Sequence, residues 1–369
     1  MSLPLFDRSA LRFKSLAERK NLVLFPRDAV FPDAEPRRLS AESAAVLREA
    51  AGRIRAARSG GKPVICAFGA HAIKNGLGPV LKRLIAEGWI THLATNGAGI
   101  IHDWEIAFQA ATSEDVRANV SRGEFGAWDE TCRYLNLGLL VGAWRGFGYG
   151  QSIGALIAEE GLAIPKADEL RDAAIRLLRE EPDRAAAAAD LLGAVERHAI
   201  PEGPMRVPHP YRRYSAQAAA YETGVPFTGH PMIGHDIIYE HPLNSGAAIG
   251  RTALRDFLIF AEAVSGLEGG VYLSVGSAVM SPMIFEKSLS MAQNIAHQAK
   301  REINNHYILV VDIAESAWDW QRDGEPSSSS PAYYLRYCKS FSRMGGTMRY
   351  LRADNRDFFL SLLRALPEA

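Results

Sequence analysis

Six short apolar runs, parted mostly by stretches of helical periodicity, set the strongest limit on how this chain folds. They are Pro63–Phe68 (PVICAF), His92–Thr95 within ITHLAT, Val225–Thr228 (VPFT), Val271–Val275 (VYLSV), Tyr307–Val311 (YILVV) and, more weakly, Met348–Leu351. A strand that is apolar on both faces belongs inside a parallel sheet covered by helices. Helical spacing over Gly78–Glu87, Asp103–Gln109, Leu254–Val264 and Phe285–Asn304 supplies the covering layers. The alternation predicts an α/β fold: a Rossmann-like open parallel sheet of about six or seven strands, with helices on both faces.

Two regions break the rhythm. Residues 1–62 read as an N-terminal extension and a helix. Asn21–Phe25 could form a short edge strand, and Pro26, Pro32 and Pro36 make the next segment irregular. Ser40 then caps a helix over Ala41–Arg58 that stops at Gly60-Gly61. Residues 63–369 form the main domain, with a helical insertion at about 126–220. Within the insertion, Pro165–Ala199 reads as a helical hairpin broken at Pro182. Asp323–Pro331 (DGEPSSSSP) is a low-complexity loop.

Charge narrows the range of partners. Forty-two basic and 42 acidic residues give a formal net charge of zero, so neither nucleic acid nor an anionic membrane is an expected partner. Cys66, Cys132 and Cys338 lack disulfide or metal-ligand spacing, which predicts a reducing, cytoplasmic setting. Met1–Lys20 is charged throughout and has no apolar signal core, and no apolar run reaches membrane-spanning length.

Chemistry is expected where strands end, because open α/β sheets bind ligands beyond the carboxyl edge. PVICAF runs into Gly69-Ala70-His71-Ala72-Ile73-Lys74-Asn75, ITHLAT into Asn96-Gly97-Ala98-Gly99, and VYLSV into Gly276-Ser277-Ala278. Small residues opening a helix let backbone N–H groups approach a phosphate. Three such turns on one edge predict a nucleotide site, although neither a Walker A sequence nor GxGxxG is present. His71, Lys74, His102 and Asp103 lie in these loops, and Asp103 could equally cap the helix that follows. Gly229–Asp236 (GHPMIGHD) holds two histidines and an aspartate. Its spacing is not that of a metal site, so contacts to an organic substrate are expected and no metal is. Lys339, in Tyr337-Cys338-Lys339, could be an amine nucleophile or a solvated lysine.

Taken together, these segments resemble the deoxyhypusine synthase family from about residue 63 onward. ITHLATNGAGIIHDWEIA is similar to the family's Thr-Thr-Ala-Gly-Gly strand end, matching Thr95, Asn96, Gly97, Ala98, Gly99 and Asp103. VPFTGHPMIGHDIIYEH places Asp236 on the family's amine-binding aspartate. VYLSVGSAVMSPMI supplies Gly276 and Ser277, and YILVVDIAES supplies Asp312, Ile313 and Ala314. PAYYLRYCKSF resembles the catalytic stretch, with its lysine at Lys339, and YLRADNRDFF gives Ala353 and Asp354 over the cofactor.

The resemblance implies an enzyme that binds NAD and works as a homotetramer with sites at subunit interfaces. NAD oxidises an amine carbon, and Lys339 carries the product as a lysine-linked imine. Asp236 and His235 position the amine. Gly69, His71 and Asn75 of the first loop join the matched residues around the cofactor. The family's paired glutamates are Ile101 and His102 here, its substrate glutamate is Tyr333, its tryptophan is Tyr337, and its His-His is Ser281-Pro282. A polyamine therefore loses most of its carboxylate partners. The implied substrate is a small amine or amino-acid-like molecule other than spermidine. The alternatives are a homospermidine synthase-type aminobutyl transferase and a catalytically silent NAD-binding module.

Overall fold

The computed structural model of the protein describes residues 3–316, 318–320 and 322–367. Six strands form the central sheet: β1 Val64–Phe68, β2 His92–Asn96, β3 Phe227–His230, β4 Val271–Val275, β5 Tyr307–Asp312 and β6 Thr347–Arg352. All neighbours are parallel. Across the sheet the order is β6-β5-β4-β1-β2-β3. The chain winds outward from β1 to β3, returns to lay β4 on the other side of β1, and winds outward again. This is the doubly wound order of dinucleotide-binding sheets, and its reversal lies between β1 and β4.

The apolar runs form strands because both faces of each are covered. Along β1, Val64, Cys66 and Phe68 enter one core, while Ile65 and Ala67 enter a second. The first core takes Ile54 and Leu47 of helix Ala41–Ser59, Leu81 of Gly78–Ala86, Trp104 of Gly97–Gln109 and Phe359 of Asn355–Ala365. The second takes Phe260 of Gly246–Ser265, Phe285 of Met280–Gln298, and Cys338 and Phe341 of Arg336–Ser342. Each fully buried side chain of this size contributes about 1.5–3 kcal/mol of transfer free energy.

The insertion is built on the first core. Helices Asp129–Arg145, Tyr149–Ala158 and Pro182–Arg197 contribute Leu139, Ile153 and Leu191 to it. Pro182 opens the second helix of the expected hairpin, where its missing N–H costs nothing. Helix Ala216–Thr223 then leads into β3. Among the described residues no helix is long and apolar enough to cross a membrane.

The N-terminal residues join this core as well. Leu16 and Val30 are buried in it. The strand expected at 21–25 is Val23–Leu24, and it pairs antiparallel with Ala111–Thr112 instead of edging the main sheet. Nearby, Arg19 donates to both oxygens of Glu105, at 2.8 and 2.7 Å, with both side chains out of solvent. The Thr112 and Thr131 hydroxyls donate to the same carboxylate at 2.6 and 2.9 Å. Burial pushes the Glu105 carboxyl up, but Arg19 and these donors outweigh it and hold it below the ordinary range.

Arg19→Met is expected to cost about 3–5 kcal/mol, because it leaves Glu105 charged and dry. Adding Glu105→Leu to that variant should recover most of the loss. Urea unfolding midpoints measure both, and a single variant as stable as wild type would contradict this account.

Candidate active site

Three helices near the carboxyl edge of the sheet begin beside a buried aspartate, and the three differ in how the carboxylate is satisfied. Asp103 is fully buried within helix Gly97–Gln109. It accepts from Ser215 Oγ at 2.5 Å, Ala216 N at 2.9 Å and Gln217 N at 3.2 Å, at the start of helix Ala216–Thr223. Asp256 accepts from Gly150 N at 2.8 Å, at the start of helix Tyr149–Ala158, and from Gly229 N at 2.6 Å. Both carboxylates are therefore spent on backbone N–H groups that would otherwise be orphaned.

Asp236 is the third. It lies over Gly97, the first residue of helix Gly97–Gln109, so closely that a Cβ on Gly97 would overlap its carboxylate. Its Oδ2 is shielded from solvent and has no hydrogen-bond partner. Burial pushes the carboxyl up to about 7. Tyr239, on the same short turn, has an unpartnered hydroxyl, and burial and Asp236 push its ionisation up as well. Two cavities meet here. One of about 200 Å³ is lined by Lys74, Ala98, His102, His235 and Asp236 among others. One of about 330 Å³ shares His235 and Asp236 and adds Phe6, Arg8, Tyr239 and Glu240.

His102 hydrogen-bonds Thr112 Oγ1 at 2.7 Å, and burial pushes it down to about 4, so it is neutral near pH 7. Burial and the nearby Glu114 push Glu240 up to about 7. Arg8 holds the N-terminal segment in place by donating to the Tyr239 carbonyl at 2.7 Å. The arrangement puts a proton acceptor that ionises near neutrality into a cavity at the carboxyl edge, with cationic and neutral donors around it.

The structure sorts the residues expected to hold a cofactor into two groups. The first is engaged inside the protein. Thr95 Oγ1 donates to the Phe68 carbonyl at 2.9 Å. Asn96, not Asp103, caps helix Gly97–Gln109 by accepting from Gly99 N at 3.0 Å. Ser277 Oγ accepts from Ser281 N, Asp354 caps helix Asn355–Ala365 by accepting from Arg356 N, and Ala353 is buried. The second group lies at the carboxyl edge. His71, Asn75 and Ile313 are exposed, and Ala98, Gly276 and Ala314 are half-buried. Gly69 is buried against the Gly276 carbonyl and leaves no room for a Cβ, while Gly276 adopts φ +57°. Val279 and Ile313 expose apolar side chains beside these turns.

Lys339 stands apart from Asp236 and lines neither cavity described above. Its Nζ sits 3.6 Å from the centre of the Tyr333 ring, on helix Arg336–Ser342 of the second core. Tyr239, Glu240 and Arg8 were not singled out by sequence. The signal for the first two was their placement three and four residues after Asp236 in DIIYEH. Arg8 gave none, because its partner is 231 residues away.

No family model matches this chain, and no curated protein matches it. Solved structures do. The ternary complex of AgrE with ornithine and NAD⁺ is 17% identical, with a TM-score of 0.42, covering 89% of this chain and 34% of AgrE. A provisionally assigned LOR/SDH protein from Methanococcus maripaludis is 13% identical, with a TM-score of 0.44, covering 91% of this chain and 73% of its own. A provisionally assigned deoxyhypusine synthase from Entamoeba histolytica is 11% identical, with a TM-score of 0.35, covering 82% and 90%. The chain thus spans about a third of the length of AgrE. At these values the likenesses carry no functional argument.

Gly97→Ala is expected to push the Asp236 carboxylate off the helix start and into water. Because Glu240 and Asp256 are also pushed up to about 7, the measurement is of amplitude: carboxyl titration followed by infrared difference spectroscopy should lose in Gly97→Ala the same part of the step near pH 7 that Asp236→Asn removes. Full amplitude retained in Gly97→Ala would show that Gly97 does not set the position of Asp236.

Proposed function

We propose that the protein is an NAD-linked enzyme that oxidises the C–N bond of a small amine or amino-acid-like substrate to an imine. The observation that carries this reading is the dry, unpartnered Asp236 carboxyl, ionising at about 7 and facing a cavity at the carboxyl edge. The substrate ammonium gives one N–H proton to Asp236, and the lone pair this frees forms the C=N bond of a protonated imine. The C–H bond breaks in the same conversion, and NAD, when bound, supplies the acceptor for that hydrogen and its electron pair. Asp236 thus takes one proton per turnover and returns it to solvent.

The edge supports a dinucleotide on three counts. The strand order reverses at β1 and β4, Gly69 and Gly276 meet there with bare backbone, and Val279 and Ile313 offer apolar surface beside them. Gly69, His71, Asn75, Ala98, Gly276, Ile313 and Ala314 would hold it. The side chains of Thr95, Asp103, Ser277 and Asp354 would support that surface from behind. The covalent step rests on the family match at Tyr337-Cys338-Lys339: the uncharged Lys339 amine adds to the imine carbon, and the substrate's own nitrogen leaves as the free amine, which gives the lysine-linked imine. A homotetramer would cover Leu254, Leu258, Met283 and Ile295, which are exposed on helices Gly246–Ser265 and Met280–Gln298.

Amine-dependent NADH formation should rise with pH through about 7 and level off, since Asp236 accepts a proton only when ionised. Asp236→Asn is expected to lower turnover by about 10²–10⁴-fold and to remove that limb. The same variant should unfold less readily than wild type above pH 7. A carboxyl raised in the folded state costs stability as pH climbs from its unfolded value toward 7, here up to about 4 kcal/mol. A rate profile unchanged by Asp236→Asn would remove the basis for the reading.

Lys339→Ala should abolish substrate trapping by borohydride on the protein while leaving NADH formation measurable. Trapping that survives in Lys339→Ala would place the covalent step on another lysine.

A further inference from the structure

We infer that the cavity at Asp236 takes an α-amino acid as its zwitterion, with Lys74 holding the carboxylate while Asp236 holds the amine. The inference rests on the reading of Asp236 as the amine's partner and adds the group that recognises the other end of the substrate.

The argument comes from accounting for the charged groups around the 200 Å³ cavity. Arg19 is closed off by Glu105, which takes both of its terminal nitrogens. Glu114 turns away to accept from Trp128 Nε1 at 2.9 Å and Gly126 N at 3.2 Å, and from the Asn119 amide. His102 is neutral and bound to Thr112. His235 also lines the cavity and its ring has no partner among the described residues, so it can add a hydrogen bond. Besides it, one ammonium and one carboxyl remain without partners. Lys74 forms no ion pair among the described residues, and the Asp236 Oδ2 accepts nothing. They line the same cavity and do not pair with each other.

Lys74 is fixed there by the fold. It ends the five-residue helix Ala70–Lys74 that follows β1, while Asp236 follows β3, so the two approach from strands on either side of β2. An ammonium and a carboxylate that line one small cavity, neither with a protein counter-charge, match the two ends of a zwitterion. They do not match a diamine, whose second cation would meet Lys74. A lone amine would leave Lys74 without a counter-ion in a partly desolvated site. Glu114 and Glu105 balance the local positive charge but offer no free oxygen, so they do not substitute for a substrate carboxylate.

Calorimetry with the full-length protein, with and without NAD⁺, tests this using three probes: L-ornithine, L-norvaline and 1,4-diaminobutane. Both amino acids should bind better than the diamine. Lys74→Met should weaken the amino acids about ten- to a hundredfold and leave the diamine unchanged or tighter, and Lys74→Arg should restore most of the loss. Asp236→Asn should weaken all three. If Asp236→Asn weakens them but Lys74→Met leaves the ratio of ornithine to diamine unchanged, the Lys74 inference fails alone. If Asp236→Asn changes nothing, the reading of the amine site fails and takes this inference with it. Wild-type protein that binds the diamine but neither amino acid at millimolar concentration would also overturn the inference.

Discussion

A carboxylate taken out of water must be given hydrogen-bond donors or a counter-charge, or it becomes protonated. Much of this structure depends on how that requirement is met. Asp103 joins helix Gly97–Gln109 to helix Ala216–Thr223, which lies more than a hundred residues further along the chain. Asp256 joins helix Gly246–Ser265 to both the insertion and β3. Glu105 gathers Arg19, Thr112 and Thr131 from three separate segments. Asp103 and Glu105 tie helix Gly97–Gln109, which follows β2, to segments far away in the chain, and Asp256 ties the insertion to β3 itself. Together they explain why the N-terminal residues and the insertion share a core with the strands instead of standing apart. Asp236 is drawn into the same kind of place, at a helix start beside a glycine, without the donors that satisfy the others.

The strands were legible because burial on both faces writes itself directly into sequence as an unbroken apolar run. All six runs became the six strands, including the weak one at Met348–Leu351. Their order was not legible, since nothing in a run such as VYLSV says which neighbour it pairs with. Asp103 shows a second limit. A cap residue just before a helix is a local pattern, and Asn96 obeys it. A carboxylate that caps a helix far away in sequence has no local pattern, so Asp103 read as a cap or ligand for the wrong element. The strand expected over Asn21–Phe25 failed differently: it forms only at Val23–Leu24, and its partner, Ala111–Thr112, lies in a segment with no strand signal of its own.

The candidate site was legible in part and for mixed reasons. Small residues after three strands pointed to the carboxyl edge on physical grounds, and the order of the sheet places two of those turns together at the reversal. Gly97 was read as leaving room for a ligand, whereas its missing side chain leaves room for Asp236. Asp236 itself came forward through resemblance, and nothing in GHPMIGHD distinguishes a satisfied aspartate from an orphan. That distinction belongs to the three-dimensional inventory of donors. Lys339 was singled out the same way. It lies on a helix of the second core, while the Asp236 cavity borders residues of the first, so one chain does not set the two side by side in one cavity.

The state of Asp236 also implies a trade between stability and chemistry. Helix starts favour negative charge, and Gly97-Ala98 offers backbone N–H groups at hand, so a small rotation would give this carboxylate the donors that Asp103 and Asp256 have. Such donors lower a carboxyl but do not by themselves overcome burial: the Asp103 carboxyl stays raised, and Asp256 is pushed up to about 7, although both accept backbone N–H groups. Held over Gly97 with Oδ2 turned to a dry position, Asp236 keeps its affinity for a proton near the pH at which it would work. The cost falls on the folded state above pH 7, where the charge persists without partners. A substrate ammonium in the cavity would bring Asp236 the counter-charge that no protein group supplies, although Oδ2 itself lies against Gly97 out of solvent, so binding would recover energy that folding leaves unspent. This makes the orphaned carboxylate a source of affinity as well as of basicity, and it ties the stability of the free protein to the strength with which an amine is held.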